Sequence, residues 1–241
     1  INCLKKLNVK IYYRGKKTYE VFGRGLGSYT AKKNLLLDFG NSGTASRILT
    51  SILSTTPNIN VKLTGDKSLK KRSMQKLITL MTKFGAEFFP KKKFNFPLKL
   101  ISTEMPIGIN YNAGISAQLK SAVILAGLNS YGTTKILEEK ESRNHTENML
   151  IKNPQVIKLK KSKKKLIEIF GKKYLKPINI RVPGDPSSAA FFAALTILNK
   201  NSNLKIKNVG LNQTRIGFYE LLKKHGANIK FNNKRKRNNE I

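Results

Sequence analysis

The sequence predicts an α/β fold assembled from three copies of one helix–strand–helix–strand unit. Three observations carry this reading. Short helix starts rich in small polar residues recur at Gly43-Thr44-Ala45-Ser46-Arg47, at Ser116-Ala117-Gln118-Leu119 and at Pro186-Ser187-Ser188-Ala189, about 70 residues apart. Each is followed by a short apolar strand and then a second helix. Glycine closes that second helix in the first and third copies, at Phe84-Gly85-Ala86 and at His225-Gly226-Ala227, the position where a left-handed residue ends a helix.

The elements follow in order. Leu4-Lys5-Lys6-Leu7-Asn8-Val9-Lys10-Ile11 matches the end of a unit, like Leu222-Lys223-Lys224-His225-Gly226-Ala227-Asn228-Ile229, so the chain opens in mid-pattern and reads as a piece of a longer protein. After the apolar run Leu35-Leu36-Leu37 comes Gly40-Asn41-Ser42-Gly43, which runs into a helical pattern of Ile48-Leu49 and Ile52-Leu53. The first copy continues with a strand at Asn60-Val61-Lys62-Leu63-Thr64 and a helix from Ser68 to Phe84. The second copy has its strand at Thr134-Lys135-Ile136-Leu137 and its second helix near Asn144-His145-Thr146-Glu147. Residues 151–170, with Lys160-Lys161-Ser162-Lys163-Lys164-Lys165, lack the expected glycine and have no assigned local structure. In the third copy Asp185 is placed to N-cap and Pro186 suits the first helical turn. A strand at Leu204-Lys205-Ile206-Lys207 and a helix from Thr214 complete it.

The chain carries 47 Lys+Arg against 13 Asp+Glu, a formal +34 over 241 residues. Such charge attracts nucleic acid or anionic membranes without specificity. The lysines are spread along the whole chain with no basic stripe interleaved with aromatics, so the pattern reads as compositional drift and predicts no specific nucleic-acid partner. Lys234-Arg235-Lys236-Arg237 reads as a solvated loop. One cysteine, Cys3, excludes an internal disulfide. The longest apolar run, from Ala189 to Leu198, is too short to span a bilayer, and no signal-peptide pattern is present, so a cytoplasmic protein is expected.

The Gly40–Gly43 corner is the best candidate for chemistry. Its glycines let backbone approach a ligand closely, and the following helix aims free N–H groups and the positive end of its dipole into the loop, which suits a phosphate or carboxylate. If the units pack with pseudo-threefold symmetry, three such helix starts converge. Lys70, Lys71 and Arg72 are expected in the first turn of the helix begun by Ser68, where cations oppose the dipole, and such violations mark functional sites. Arg143 and Arg215 stand near the matching helices, and arginine offers the planar fork that binds carboxylate or phosphate in pairs. Other chemistries lack support. His145 and His225 have no metal-spaced partners, and His225 reads as a capping or surface residue. There is no P-loop and no Gly-x-Ser-x-Gly elbow. Glu138, Glu139 and Glu141 read as an exposed strand end.

Five motifs in sequence give a resemblance: Leu37-Asp38-Phe39-Gly40-Asn41-Ser42-Gly43-Thr44, Leu63-Thr64-Gly65-Asp66-Lys67-Ser68-Leu69-Lys70-Lys71-Arg72, Ser116-Ala117-Gln118-Leu119-Lys120-Ser121-Ala122, Ser142-Arg143-Asn144-His145-Thr146-Glu147 and Val182-Pro183-Gly184-Asp185-Pro186-Ser187-Ser188-Ala189. Asn212-Gln213-Thr214-Arg215-Ile216-Gly217 extends it. The order and spacing closely resemble the 5-enolpyruvylshikimate-3-phosphate synthases across essentially the whole chain. The resemblance implies an inside-out α/β barrel of two domains, each of three βαβαββ units about a pseudo-threefold axis. Residues 1–180 would form most of the first domain and 181–241 the opening of the second. It implies transfer of the enolpyruvyl group of phosphoenolpyruvate to the 5-hydroxyl of shikimate 3-phosphate, with phosphate released, by a monomer without metal or other cofactor. Asn41 and Gly43 then match the phosphoenolpyruvate loop and Arg72 its phosphate clamp. Ser116, Ala117 and Gln118 match the helix start that holds shikimate 3-phosphate, with Gln118 reaching both substrates, and Ser142 and Arg143 match further contacts to that substrate. Arg47 matches a motif arginine that either touches ligand or braces the loop. Asp185 and Arg215 match structural positions. Gly43 would leave room beside the phosphoenolpyruvate site for a phosphonate herbicide that mimics this substrate.

The chain departs from the family's pattern. Family members are nearly twice this length, and the segment with the Pro-Gly-Asp-Lys-Ser signature, the catalytic Asp and Glu and further cationic ligands have no counterpart here. No residue of this chain is expected to act as general acid or base, and the piece alone is expected to be inactive. Asn144 stands where many relatives carry Asp. Two other functions compete with this reading. One is the sister UDP-N-acetylglucosamine enolpyruvyltransferase, whose reactive-cysteine loop has no counterpart. The other is a basic nucleic-acid-binding module.

Overall fold

The computed structural model describes residues 1–236 and Glu240. Of the basic run at 234–237, residues 234–236 are exposed coil and Arg237 lies outside the described residues. The chain divides into two units, Ile1–Lys140 with Asn153–Pro177, and Glu141–Lys152 with Ile178–Ile241.

The first unit opens with a one-turn helix α1 (Asn2–Lys6) and a hairpin of β1 (Lys10–Tyr13) and β2 (Tyr19–Phe22). A βαβαββ run follows, made of β3 (Leu35–Asp38), α2 (Gly43–Ser54), β4 (Asn60–Thr64), α3 (Lys67–Lys71), α4 (Gln75–Lys83), β5 (Glu87–Phe89) and β6 (Leu98–Ile101). In chain order a second run repeats the plan with β7 (Asn110–Ala113), α5 (Ala117–Asn129), β8 (Thr133–Glu138), α6 (His145–Leu150), β9 (Ile157–Lys161) and β10 (Lys165–Phe170), of which α6 falls in the second unit and the rest in the first. The two sheets have equivalent strand orders, β3-β4-β6-β5 and β7-β8-β10-β9. In each, only the first pair is parallel, because a helix crossover joins those two strands, and the remaining pairs are antiparallel. The repeat read from helix starts is therefore a repeat of topology.

Sequence explains how the layers pack. In β4, Val61 and Leu63 are buried while Lys62 points out, the alternation of a half-buried strand. Helix α5 is buried at most positions and apolar on nearly all sides, the mark of a core helix rather than a surface one. It packs against α2, which buries Ser46, Thr50, Ser51 and Ser54. The hydroxyls of Ser46, Ser51 and Ser54 donate to carbonyls three or four residues back, so small polar side chains fill the seam without cross-helix demands. Asn129 supplies a link across it, its amide donating to the carbonyl of Ile52 and to Thr56.

Two expectations in this unit are corrected. The helix expected from Ser68 to Phe84 is two helices. Asp66, not Ser68, caps α3 by accepting from the Leu69 N–H, and Arg72 is extended (φ −80°, ψ 130°), which breaks the helix before α4. Lys70 and Lys71 therefore sit in the last turn of a one-turn helix, where cations favour the dipole, and they break no rule. Glu138 is not at an exposed strand end. It is 1% exposed and pairs with Lys120, whose Nζ lies 2.9 Å from Oε1, while Glu139 is exposed as expected. The unassigned stretch 151–170 contains the β9–β10 hairpin.

The second unit holds α6, α7 (Pro186–Leu198) and α8 (Gly217–Lys224). Asp185 caps α7 as expected, accepting from the N–H groups of Ser187 and Ser188, with Pro186 at the first turn. Arg215 pairs with Asp185 and donates to the Ser187 hydroxyl. A small core of Ala189, Ile216 and Tyr219 is fastened by the Tyr219 hydroxyl, which donates to the Pro186 carbonyl at 2.6 Å. Phe191, Phe192, Leu195 and Leu198 of α7 are exposed. Gly85 and Gly226 take φ of +103° and +91°, ending α4 and α8 as the sequence predicts. The helix expected from Thr214 begins at Gly217, because Thr214 bonds instead to the Asn212 side chain. The strand expected at 204–207 does not form. A strand needs a ladder, and among the described residues this region makes only the neighbouring bridge of Gly184 with Val209.

Candidate functional site

The corner after β3 is built by local rules. Asp38 Oδ1 accepts from the Gly40 N–H at 2.8 Å, turning the chain as the strand ends. Gly40 has φ +55°, a left-handed conformation that glycine adopts without a steric penalty. Its carbonyl accepts from the Asp66 N–H at 2.9 Å, and a Cβ on Gly65 would lie 2.7 Å from that same oxygen. Loop 40–43 is thus pinned against the corner where β4 enters α3. Ser42 caps α2, its Oγ accepting from Ala45 N–H, and Gly43 is the first helical residue.

Around Gly43 the cations gather. A Cβ built on it would lie 2.9 Å from Arg47 Nη1 and 3.0 Å from Arg72 Nη1, so both guanidiniums flank one point at the start of α2. The break after α3 turns Arg72 to this loop, where Nη2 donates to Asn41 Oδ1 at 3.3 Å. Arg47 is half-buried. Its Nη1 donates to the Gly43 carbonyl and to Gln118 Oε1, both at 3.0 Å. Burial first, and then the Arg72 charge, lower the pKa of Arg47, and a guanidinium so placed stays cationic.

Gln118 belongs to the start of α5, where Ser116 caps the helix by accepting from Leu119 N–H. Its Nε2 donates to Thr44 Oγ1 at 2.7 Å. The structure therefore brings Asn41, Gly43, Arg72, Ser116, Ala117 and Gln118 together at the N-terminal ends of α2 and α5. Two helix ends and two guanidiniums meet there, an arrangement suited to an anion. Ser142 and Arg143 lie in the second unit, in the loop before α6. The N-terminus of α7, the third small-polar helix start, belongs to that unit as well. Thr44 was not singled out from sequence; a hydroxyl in the first turn of the helix after the loop was the available signal. Among the described residues no cluster of His, Cys, Asp and Glu could hold a metal ion, and no helix is long and apolar enough to cross a membrane.

Comparison with known proteins bears on this geometry. Residues 1–240 match the sequence family described as EPSP synthase (3-phosphoshikimate 1-carboxyvinyltransferase). The 3-phosphoshikimate 1-carboxyvinyltransferase of Sulfurihydrogenibium sp. (strain YO3AOP1) is 38% identical over 254 residues, covering 100% of this chain and 56% of the relative. That of Aquifex aeolicus (strain VF5) is 38% identical over 244 residues, covering 100% and 55%. The structure of EPSP synthase from Acinetobacter baumannii superposes with a TM-score of 0.82 at 32% identity, covering 99% of this chain and 53% of that one. The chain spans about half the length of the curated relatives it matches. The match over nearly every residue, the likeness of fold and the motifs that build the corner lead to one conclusion: this chain belongs to the EPSP synthase family.

Proposed function

We propose that this chain carries substrate-binding elements of an enzyme that transfers the enolpyruvyl group of phosphoenolpyruvate to the 5-hydroxyl of shikimate 3-phosphate, releasing phosphate. The observation that carries the reading is the joining of loop 40–43 to the start of α5 under two guanidiniums. Asn41, Gly43 and Arg72 take phosphoenolpyruvate. Ser116 and Ala117 take shikimate 3-phosphate with Ser142 and Arg143, and Gln118 serves both. Both substrates are anions, and fixed N–H donors with cations hold them in place without reorganising as the reaction proceeds. The proton-transferring groups are not among these residues, and no metal or cofactor is assigned. Residues 1–180 form most of one domain and 181–241 open a second. The complete protein is a cytoplasmic monomer, and this chain alone is inactive.

Release of phosphate from phosphoenolpyruvate and shikimate 3-phosphate tests the reading. Turnover is expected from the complete protein and none from the 241-residue chain. Turnover with UDP-N-acetylglucosamine in place of shikimate 3-phosphate would overturn the substrate assignment.

A further inference from the structure

We propose that Arg47 is a positioning residue that sets which way the Gln118 amide points and ties the two substrate-binding elements into one unit; the ligand side of this inference rests on the function proposed above. The two ends of a glutamine amide are nearly identical in shape, so packing alone does not choose between them. The partners choose. Thr44 can donate or accept, and by itself it tolerates either orientation. A guanidinium only donates, so the carbonyl end must face Arg47 and the NH2 end must face Thr44, as observed at 3.0 Å and 2.7 Å. Arg47 therefore breaks the tie. It leaves the second N–H of Gln118 Nε2 as a donor for a phosphate or carboxylate.

The same Nη1 also donates to the Gly43 carbonyl at 3.0 Å. One nitrogen thus links the backbone of the loop to a side chain 71 residues away. Its half-buried setting favours a strong charge-assisted bond. Arg72 is held differently, exposed and with a longer 3.3 Å contact to Asn41, which leaves its fork available to ligand. The two arginines divide the work: Arg72 clamps and Arg47 aims.

Nuclear magnetic resonance of the Gln118 side-chain amide, identified by its loss in Gln118→Glu, tests the aiming without any ligand. In the native chain its heteronuclear NOE should match that of the helix backbone, and in Arg47→Gln it should fall to that of the exposed Gln213. Arg47→Lys, still donor-only, should retain part of the order, and Thr44→Val should retain most of it. A mobile Gln118 amide in the native chain, or one unmoved by Arg47→Gln with circular dichroism unchanged, would overturn the proposal. If Arg47→Gln does not fold, the Arg47→Lys and Thr44→Val pair decides, because the proposal requires the lysine variant to loosen the amide more. Calorimetric titration with shikimate 3-phosphate separates this inference from the function it rests on. About a tenfold loss of affinity is expected in Arg47→Gln, the weight of one hydrogen bond to a charged group. An ordered amide with no binding by the native chain would count against the substrate reading alone. Equal binding by the native chain and a folded Arg47→Gln would count against the positioning role alone.

Discussion

Replacing Glu138 with Gln should weaken the first unit strongly. Glu138 ends β8, and Lys120 lies in α5 two residues beyond Gln118; the side chains of both are 0% exposed. Their contact is 2.9 Å, and Lys165 Nζ lies 3.8 Å from the other carboxylate oxygen. Glutamine keeps the shape of Glu138 and removes its charge, taking away the carboxylate that lies 2.9 Å from the buried Lys120 ammonium. Breaking one side of a buried pair costs about 3–5 kcal/mol. Against a total stability of about 5–15 kcal/mol, that is a large share. With a urea slope of about 2 kcal/mol/M, the midpoint should drop by about 1.5–2.5 M. The double change Lys120→Met with Glu138→Leu should recover most of the loss, since apolar replacement of such a pair is often neutral or better. Urea unfolding followed by circular dichroism, arranged as a double-mutant cycle, reads both numbers. A Glu138→Gln loss under about 1 kcal/mol, or a double variant no better than the sum of its singles, would refute the reasoning.

Three further outcomes are expected. Gly43→Ala puts a methyl 2.9 Å and 3.0 Å from the far ends of two flexible arginines, so the fold should lose less than about 1 kcal/mol. The anion corner narrows, and in the complete protein inhibition by the phosphonate mimic of phosphoenolpyruvate should weaken; an unchanged inhibition constant would contradict the role given to Gly43. Burial raises the pKa of Asp185, but hydrogen bonds from Ser188 Oγ and the Ser187 and Ser188 N–H groups, with the Arg215 charge, outweigh it and hold the carboxyl below its ordinary value. A depressed pKa gives stability that is present above the unfolded value of about 3.9 and lost as pH falls through the folded one. Acid titration should therefore loosen the second unit below about pH 4, and Asp185→Asn should flatten that dependence while still capping α7. Gly171→Ala would set a Cβ 1.8 Å from the Ser130 carbonyl oxygen, which is backbone, so a loss of at least about 1–3 kcal/mol in thermal or urea unfolding should follow.

The sequence made legible those features that local chemistry controls. The strand read at Asn60–Thr64 is β4 residue for residue, the cap read at Asp185 is in place, and the helix start read at Ser116 opens α5. Periodicity and capping act over a few residues, so they show in a linear reading. What tertiary partners decide did not show. Glu138 looked like one of several exposed acids because its counter-charge, Lys120, stands in another element. Lys70 and Lys71 seemed misplaced because the break at Arg72 depends on a turn no periodicity marks. The β9–β10 hairpin was hidden by lysines on its exposed positions, while Ile157, Ile167 and Ile169 supply its buried ones. The site was half legible. The residues that meet at the corner, loop 40–43, Arg72 and the start of α5, could be named, but the bond from Arg47 to Gln118 exists only once α2 and α5 are packed.

The shared strand order has a consequence for how the chain acquires its structure. Every ladder of the first four-stranded sheet lies between Leu35 and Ile101, and every ladder of the second between Asn110 and Phe170. Neither sheet borrows a strand from the other. Loop closure is thus confined to one repeat at a time, which limits the entropy spent before contacts form. During synthesis the first sheet has all four of its strands once Ile101 has left the ribosome, and it need not wait for a strand from the second. The packing of α5 on α2 and α4 must wait for both.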